Sequence, residues 1–313
     1  MKLPKIPSKK ELSFLAFLIF YILIGVGIYF YFGNRVPETP LLPQANVSLP
    51  QTPSQDFSFL VFGDSGVGSN EQKQIATLLA AQKADLIIHT GDLAYYSGSY
   101  AEIQKNVLDI YGNLLVKSSF YPVLGNHDYQ TNKGQPFVDT FDLPGNERYY
   151  SFEYKDILFV ALDTNDPLEE NLNKMFPWLE STLADSSSKW RIVYFHHPPY
   201  STGMHGGDKK VQEKIVPILE KNNVDFVFSG HDHNYQRTCS IKSNTCQDNG
   251  VFYIVSGGGG APLYKVGKPE WFTDKQISAF HFLLAEKKDC TLSFKVITLN
   301  AEQIDQFSKS KCS

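Results

Sequence analysis

Short apolar segments alternate with segments of helical periodicity over most of the chain. FSFLVF (57–62) and WRIVYFH (190–196) have the length of buried strands, whereas 71–82 and 168–185 carry apolar residues at helical spacing. Strands are predicted at 57–62, 84–90, 120–125, 149–154, 157–163, 190–196, 224–230, 251–256, 279–286 and 291–299, and helices at 71–82, 101–116, 168–185 and 209–221. This alternation predicts an α/β domain over residues 57–313 that ends in β-rich sequence.

The N-terminal segment has a different pattern. Residues 12–32 contain no charged side chain and follow a basic segment, 1–11, that carries four lysines. As a helix this run would span roughly 30 Å, which matches the hydrocarbon core of a bilayer. The lysines predict a cytoplasmic N-terminus, because positive charge accumulates on that side of a membrane anchor. The alternative is a cleaved signal peptide, although its apolar region would usually be shorter and be followed by a small-x-small site.

Residues 33–56 contain five prolines among polar side chains. Such a composition buries no core and predicts an extended linker. The chain is therefore expected to consist of a basic segment, a transmembrane anchor, a linker and an extracytoplasmic domain.

Four cysteines lie in the last quarter of the chain, at Cys239, Cys246, Cys290 and Cys312. In an oxidising compartment four cysteines allow three pairings. We favour Cys239–Cys246, which encloses a short polar loop, and Cys290–Cys312, which would hold the C-terminal tail. Free buried thiols are the alternative.

The charge of the chain limits its partners. The formal net charge is −4, and no long run of lysine or arginine occurs. A nucleic-acid partner is therefore not expected, because binding to a phosphate backbone requires clustered positive charge. If a phosphate binds, a metal would have to supply the positive charge. The oligomeric state is left open.

The segment GDSG (63–66) allows three interpretations. A chymotrypsin-like serine protease needs its histidine upstream of the serine, and no histidine precedes Ser65. A dinucleotide-binding fingerprint would need a third glycine where Glu71 stands. The remaining interpretation makes Asp64, at the end of an apolar run, a metal ligand.

Ligand-type side chains follow other predicted strands in the same way. They lie in the segments GDLAY (91–95), GNHD (125–128), VYFHH (193–197) and GHDH (230–233). Because ligands bind at the carboxyl ends of strands in α/β sheets, these side chains are expected to meet. Their oxygen and imidazole donors favour a metal centre over isolated core histidines.

The ordered set GDxG, GDxxY, GNH[DE], VxxH and GHxH resembles the purple acid phosphatase branch of the calcineurin-like metallophosphoesterases. The resemblance covers about residues 57 to 300 and continues through HDHNYQR and VSGGGGAPLY. It implies a two-sheet αββα sandwich, preceded here by the predicted transmembrane helix. The chain resembles the small, single-domain form, since it leaves no room for the extra N-terminal β-sandwich of the large plant-type enzymes.

The resemblance implies two metal ions that share Asp92. The first, Fe(III), would be bound by Asp64, Asp92, Tyr95 and His233, and the second, Zn(II), Fe(II) or Mn(II), by Asp92, Asn126, His196 and His231. Carboxylate and phenolate suit a trivalent iron, and imidazole and amide suit the divalent ion. The VxxH pattern from Val193 selects His196 rather than His197.

The resemblance also implies residues on the substrate side. His127, paired with Asp128, and His205 would face the phosphate or the leaving group. Two other histidines, His89 and His281, are expected to be structural, and Asp232 is expected to face solvent. The glycine run 257–260 is interpreted as a flexible rim loop, with phosphate contact through its backbone amides as the alternative.

The function implied is hydrolysis of phosphate monoesters by a metal-bound hydroxide at a dinuclear centre, with a small phosphorylated molecule as substrate. A nucleophile activated by a trivalent metal would persist in acid, so an acidic optimum is expected. A phosphodiesterase or nucleotide hydrolase of the same superfamily is the nearest alternative. A catalytically silent metal- or phosphate-binding surface protein is another.

Overall fold

The computed structural model describes residues 56–165 and 168–312. None of the helices in these ranges is both long enough and apolar enough to cross a bilayer. The basic segment 1–11, the anchor predicted at 12–32 and the linker, except its last residue, lie outside the described residues.

Strands and helices alternate as far as residue 229, and mainly strands follow. The strands are β1 (Phe57–Phe62), β2 (Leu86–His89), β3 (Ser119–Pro122), β4 (Tyr150–Tyr154), β5 (Ile157–Ala161), β6 (Trp190–Tyr194), β7 (Phe226–Ser229), β8 (Tyr235–Thr238), β9 (Ile241–Lys242), β10 (Thr245–Cys246), β11 (Phe252–Ser256), β12 (Thr273–Ile277), β13 (His281–Lys288), β14 (Thr291–Thr298) and β15 (Gln303–Ser310). The helices are α1 (Asn70–Ala81), α2 (Tyr100–Ile103), α3 (Asp109–Leu115), α4 (Gln135–Thr140), α5 (Leu168–Asp185), α6 (Lys209–Lys214) and α7 (Val216–Lys221), with a π-helical segment, Gln104–Leu108, between α2 and α3 and a short 3₁₀ turn, Asn132–Gly134, before α4.

Two mixed sheets form the centre of the domain. The first has the order β15-β14-β13-β1-β2-β3 and the second the order β12-β8-β11-β7-β6-β5-β4. Strands β1, β2 and β3 are parallel to one another, and so are β5, β6 and β7. The carboxyl ends of the parallel strands carry the loops that contain GDSG, GDLAY, GNHD, VYFHH and GHDH.

The main core lies between the two sheets. Phe59 of β1 packs edge-on against Phe159 of β5, with ring centroids 5.4 Å apart, and Phe226 of β7 contacts Phe294 of β14 at 4.7 Å. A second core joins the outer face of the second sheet to α5, α6 and α7, while α1 to α4 add apolar side chains on the first sheet. The predicted α/β two-sheet sandwich with helices on both outer faces is confirmed.

Most predicted elements are present, and the differences have local causes. The helix predicted at 209–221 divides into α6 and α7 before Pro217, whose ring nitrogen cannot donate a helical hydrogen bond. Strands β12 and β15 were not predicted, because their side chains are largely polar and β15 is an edge strand. Such strands lack the apolar run that marks a buried one.

Both favoured disulfides are formed. Cys239 is bonded to Cys246 and Cys290 to Cys312, and the described residues contain no free cysteine. The second bond joins the β13–β14 turn to the residues that follow β15.

The glycine run 257–260 differs from the expected flexible rim loop, because it is buried. The N–H of Gly257 donates to the carbonyl of Asn234, and the N–H of Gly259 donates to that of Gly63. A Cβ atom at Gly258 would lie 2.3 Å from Nδ1 of His281. The run is therefore a packed support beneath the β1 loop.

We predict opposite effects of an added methyl group at two glycines. Gly258→Ala should lower the free energy of unfolding by about 1–3 kcal/mol, since its Cβ would also approach the carbonyl oxygen of Ala279. Gly112→Ala, on α3 with no atom outside the adjoining helix backbone within 4 Å of the new methyl group, should raise it by about 0.5–1 kcal/mol. Urea unfolding of both variants measures the difference. Equal stability of the two would contradict the packed arrangement.

Candidate metal centre

Five loops bring ligand-type side chains to one edge of the sandwich. Asp64 follows β1, Asp92 follows β2, Asn126 follows β3, His196 follows β6 and His231 follows β7. Three of these residues, Asp64, Asp92 and His231, have positive φ angles, a conformation in which aspartate and histidine are over-represented among non-glycine residues. The chain therefore turns sharply after these strands and directs the side chains toward a common point.

The first group of donors consists of Asp64, Asp92 and His233, whose donor atoms lie within 4.8 Å of one another. The hydroxyl of Tyr95 joins them, at 2.9 Å from Oδ2 of Asp92 and 3.0 Å from Nε2 of His233. All four residues are buried. The structure thus brings together the whole set that was assigned to the first metal.

The second group lies beside the first. Nε2 of His196 is 3.0 Å from Oδ1 of Asn126, 3.2 Å from Nδ1 of His231 and 3.5 Å from Oδ2 of Asp92. The carboxylate of Asp92 consequently contacts both groups, as a bridging ligand must.

Backbone contacts show which ring nitrogen is free in two of the histidines. Nδ1 of His196 lies 2.9 Å from the carbonyl oxygen of Thr90, and Nδ1 of His233 lies 2.8 Å from that of Pro262. A carbonyl oxygen only accepts, so each Nδ1 carries a hydrogen and the neutral ring has a bare Nε2. Contacts of this kind orient metal-binding histidines.

The Nε2 atom of His196 faces other lone pairs. It points at the amide oxygen of Asn126 and the carboxylate of Asp92, and these contacts are favourable only when Nε2 holds a proton or a metal ion. With metal–ligand bonds of about 2.0–2.2 Å, neighbouring ligands of one ion lie roughly 3 Å apart, which matches the separations observed. The residues fit a metal centre.

The buried charges shift one another's pKa values. Burial alone lowers the pKa of His196, but the carboxylate of Asp92 opposes it and the net effect raises that pKa to about 9. Burial raises the pKa of Asp92, whereas His196 draws it well below its usual range. At Asp64 burial prevails and the pKa is raised. A site that holds a proton on His196 this firmly is one that attracts a cation.

His197 lies close to the second group but has a different environment. Its ring Nδ1 is 2.9 Å from Oγ1 of Thr164, whereas His196 contacts Asn126 and Asp92. Its ring is nevertheless near His231, with centroids 4.7 Å apart, and donor atoms of His196, His197 and His231 lie within 4.8 Å of one another. The geometry makes His196 the residue that faces both groups.

The expected pairing of Asp128 with the ring of His127 is not what the structure shows. The carboxylate of Asp128 is buried and accepts hydrogen bonds from the backbone N–H groups of Leu93, Ala94 and Gly125. Nδ1 of His127 instead lies 2.8 Å from the carbonyl oxygen of Tyr96. Asp128 ties the Asp92 loop to the Asn126 loop, and this bonding leaves its carboxylate directed at the backbone.

Asp232 does not face solvent, contrary to the expectation. It is fully buried, and its carboxylate accepts hydrogen bonds from the hydroxyl of Ser201 and the backbone N–H of His205. It therefore holds the His205 loop against the His231 loop. The ring of His205, itself exposed, lies 4.2 Å from that of His231 between centroids.

The two histidines expected to be structural are buried and hydrogen-bonded. Nε2 of His89 is 2.9 Å from Oγ of Ser65, and its Nδ1 accepts from the N–H of Gly91. His281 contacts the carbonyl of Ala279 and the hydroxyl of Ser256.

Sequence reasoning missed the partners that orient the donors. Tyr264 stacks on the ring of His233, with centroids 4.0 Å apart and planes 10° from parallel. The contacts of the carbonyl groups of Thr90 and Pro262 with the two histidines cannot be predicted from the pattern of side chains, because carbonyl groups belong to the backbone. The segment VSGGGGAPLY contains Tyr264 and Pro262, but the sequence alone does not show that these residues contact His233.

A two-sheet sandwich with paired donor groups that share one carboxylate defines a metallophosphoesterase type of domain. The family model of the calcineurin-like phosphoesterases matches residues 57–235, more than half of the chain. The chain belongs to this family.

Relatives place it near one branch of the family. It is 26% identical to purple acid phosphatase 3 of Arabidopsis thaliana over 88% of this chain and 86% of that protein, and 28% identical to purple acid phosphatase 17 of the same plant over 67% and 70%. The purple acid phosphatase PPD1 from yellow lupin (Lupinus luteus) seeds superposes with a TM-score of 0.72 at 23% identity, covering 84% of this chain and 55% of that chain. GAP50, the anchor in the inner membrane complex of Plasmodium, has a TM-score of 0.68 at 20% identity, with 83% and 90% covered. At these identities the structural matches show the shared fold.

Proposed function

We propose that the protein is a purple acid phosphatase-like enzyme that hydrolyses phosphate monoesters at a dinuclear metal centre. The observation that carries the proposal is the contact of Asp92 with both donor groups, one around Tyr95 and one around His196. Two metal ions a few ångströms apart activate a water for attack on phosphorus and offset the charge of the phosphate.

The residues of each group would hold one ion. Asp64, Asp92, Tyr95 and His233 would bind Fe(III), and Asp92, Asn126, His196 and His231 would bind Zn(II), Fe(II) or Mn(II). The carboxylates and the phenolate in the first group support the harder ion there. Burial of the groups excludes bulk water from the charges that hold the metals, which strengthens their attraction.

His127 and His205 would act on the substrate side. The contact of Nδ1 of His127 with the carbonyl of Tyr96 fixes the ring beside Tyr95, with centroids 4.3 Å apart. Asp232 holds the backbone of His205, not its ring. In this proposal each imidazole would donate a proton or a hydrogen bond to an oxygen of the ester, and Asp128 would support the arrangement through the backbone.

The proposed localisation is the outer face of a membrane, with residues 12–32 as the anchor. Its support is the uncharged apolar run behind four lysines, together with the two disulfides, since disulfides persist in oxidising compartments.

The first test compares substrates and one pair of variants. The metal-loaded protein should hydrolyse an aryl phosphate monoester faster than a bis-aryl diester. Asp92→Asn removes the shared negative charge and should cost at least about a hundredfold in kcat/KM together with one or both metals, measured by elemental analysis. Asp248→Asn, an exposed aspartate of the β10 turn, is the control. Faster diester hydrolysis would favour the phosphodiesterase alternative, and no hydrolysis of either ester would favour a silent binding protein.

The second test concerns the first metal. If Tyr95 binds Fe(III) as a phenolate, charge transfer gives the iron-loaded protein a visible absorption band. Tyr95→Phe should abolish the band, whereas Tyr96→Phe should retain it, because Tyr96 is 77% exposed and lies outside the donor group. Absorption spectra at equal iron content measure this. A colourless wild type with full iron occupancy would remove the Fe(III) assignment.

The third test concerns the anchor. Full-length protein should sediment with membranes, and a chain that begins near Ser54 should be recovered in the soluble fraction with its phosphatase activity intact. Fractionation combined with N-terminal sequencing measures both. Full-length protein found in the soluble fraction with its N-terminus near Gly33 would indicate a signal peptide instead.

A further inference from the structure

A cavity of about 460 Å³ opens beside the second donor group. Its wall includes Asn126, His197, Lys209 and Lys210. Asn126 also contacts His196 at 3.0 Å, so the cavity and the metal centre share a wall. Its volume is in the range of ligand pockets, and neither His197 nor the two lysines has a role in the function proposed above.

His197 lines this cavity together with Thr164, which its ring contacts. Oγ1 of Thr164 accepts from the backbone N–H of His197, and the same hydroxyl lies 2.9 Å from Nδ1 of the ring. We assign the hydroxyl hydrogen of Thr164 to Nδ1, which gives the tautomer in which Nε2 carries the ring hydrogen and can donate to an anion.

Lys209 and Lys210 add positive charge at the rim. Both are exposed, and neither forms an ion pair within the described part of the chain. Asp208 is the acidic residue of the cavity wall, and its Oδ1 accepts from the N–H of Val211 at the start of α6. Among the described residues of the wall, two ammonium groups stand against one carboxylate, and this excess of positive charge favours an anionic ligand.

We propose that this cavity, which we call the lysine pocket (Asn126, Thr164, His197, Lys209 and Lys210), binds a second phosphate of the substrate. The inference rests on the proposed function. One phosphate occupies the metal centre, and the other accepts hydrogen bonds from His197 and faces the ammonium groups. The substrate class is then a phosphate ester that carries two phosphates.

Binding of alkane diphosphonates to the metal-loaded protein tests the proposal without turnover. Diphosphonates with one to four carbons between the phosphorus atoms would be compared by calorimetry with monophosphonates of equal length. At least one diphosphonate should bind about tenfold more tightly than its monophosphonate, as expected for charge-assisted contacts, and the gain should shrink as salt is raised.

Three variants separate the lysine pocket from the metals. In the double variant Lys209→Gln/Lys210→Gln the diphosphonate gain should be lost, and in Lys214→Gln, an exposed lysine on the same helix, it should persist. His197→Phe should reduce the gain without changing the metal content. A gain that survives in the double variant would show that the metals alone provide it, and loss of metal in His197→Phe would make His197 a ligand; either result overturns the proposal.

The same measurements distinguish failure of this inference from failure of the proposed function. If monophosphonates bind and the aryl phosphate is hydrolysed but no diphosphonate binds more tightly, only the lysine pocket is refuted. If no phosphonate binds and no aryl phosphate is hydrolysed, the proposed function fails and the inference fails with it.

Discussion

The domain depends on the electrostatic constraint at its loop edge, where two carboxylates and two imidazoles are buried within contact of one another. Asp64 and Asp92 are almost entirely inaccessible to solvent, and burial of a charged group without compensation is costly. The Nε2 atoms of His196 and His233 face these oxygens. A metal cation bound by the oxygens and nitrogens together would offset the buried negative charge, and the surrounding loops hold the donors in place for it.

The support around this centre is made largely of backbone. Thr90 and Pro262 orient two histidines through their carbonyl oxygens, and Asp128 collects three N–H groups from two loops. Asp232 accepts a hydrogen bond from the backbone N–H of His205 and so holds the loop that carries it. The ligand loops are thereby tied to one another, and the glycine run 257–260 packs beneath the loop that carries Asp64.

The two sides of the centre differ in chemistry. A larger cavity of about 590 Å³, beside Tyr95 and His233, is lined in part by the aromatic side chains of Tyr96, Tyr264 and Phe280, whereas the described wall of the lysine pocket includes the two lysines Lys209 and Lys210. Both cavities border the buried donors, because Asn126 lines the lysine pocket and Tyr95 and His233 line the larger cavity. In the proposed function, discrimination among phosphate esters would depend on the loops that line these two cavities.

The sequence by itself indicated the α/β order, most strand positions and the residues that converge at the loop edge, and it favoured the two disulfides among three possible pairings. These follow from local periodicity and from motifs whose spacing is short, such as GDLAY and GHDH. Only the tertiary structure decided the roles of Asp128, Asp232 and the glycine run, because their partners are backbone atoms distant in sequence. A side-chain pattern does not encode where a carbonyl or an N–H will lie. The VxxH pattern selected His196 over its neighbour His197, and the tertiary structure supplies the reason: the contacts of Thr90 and Thr164, each more than thirty residues away, hold the ring of His196 against Asp92 and that of His197 in the wall of the lysine pocket.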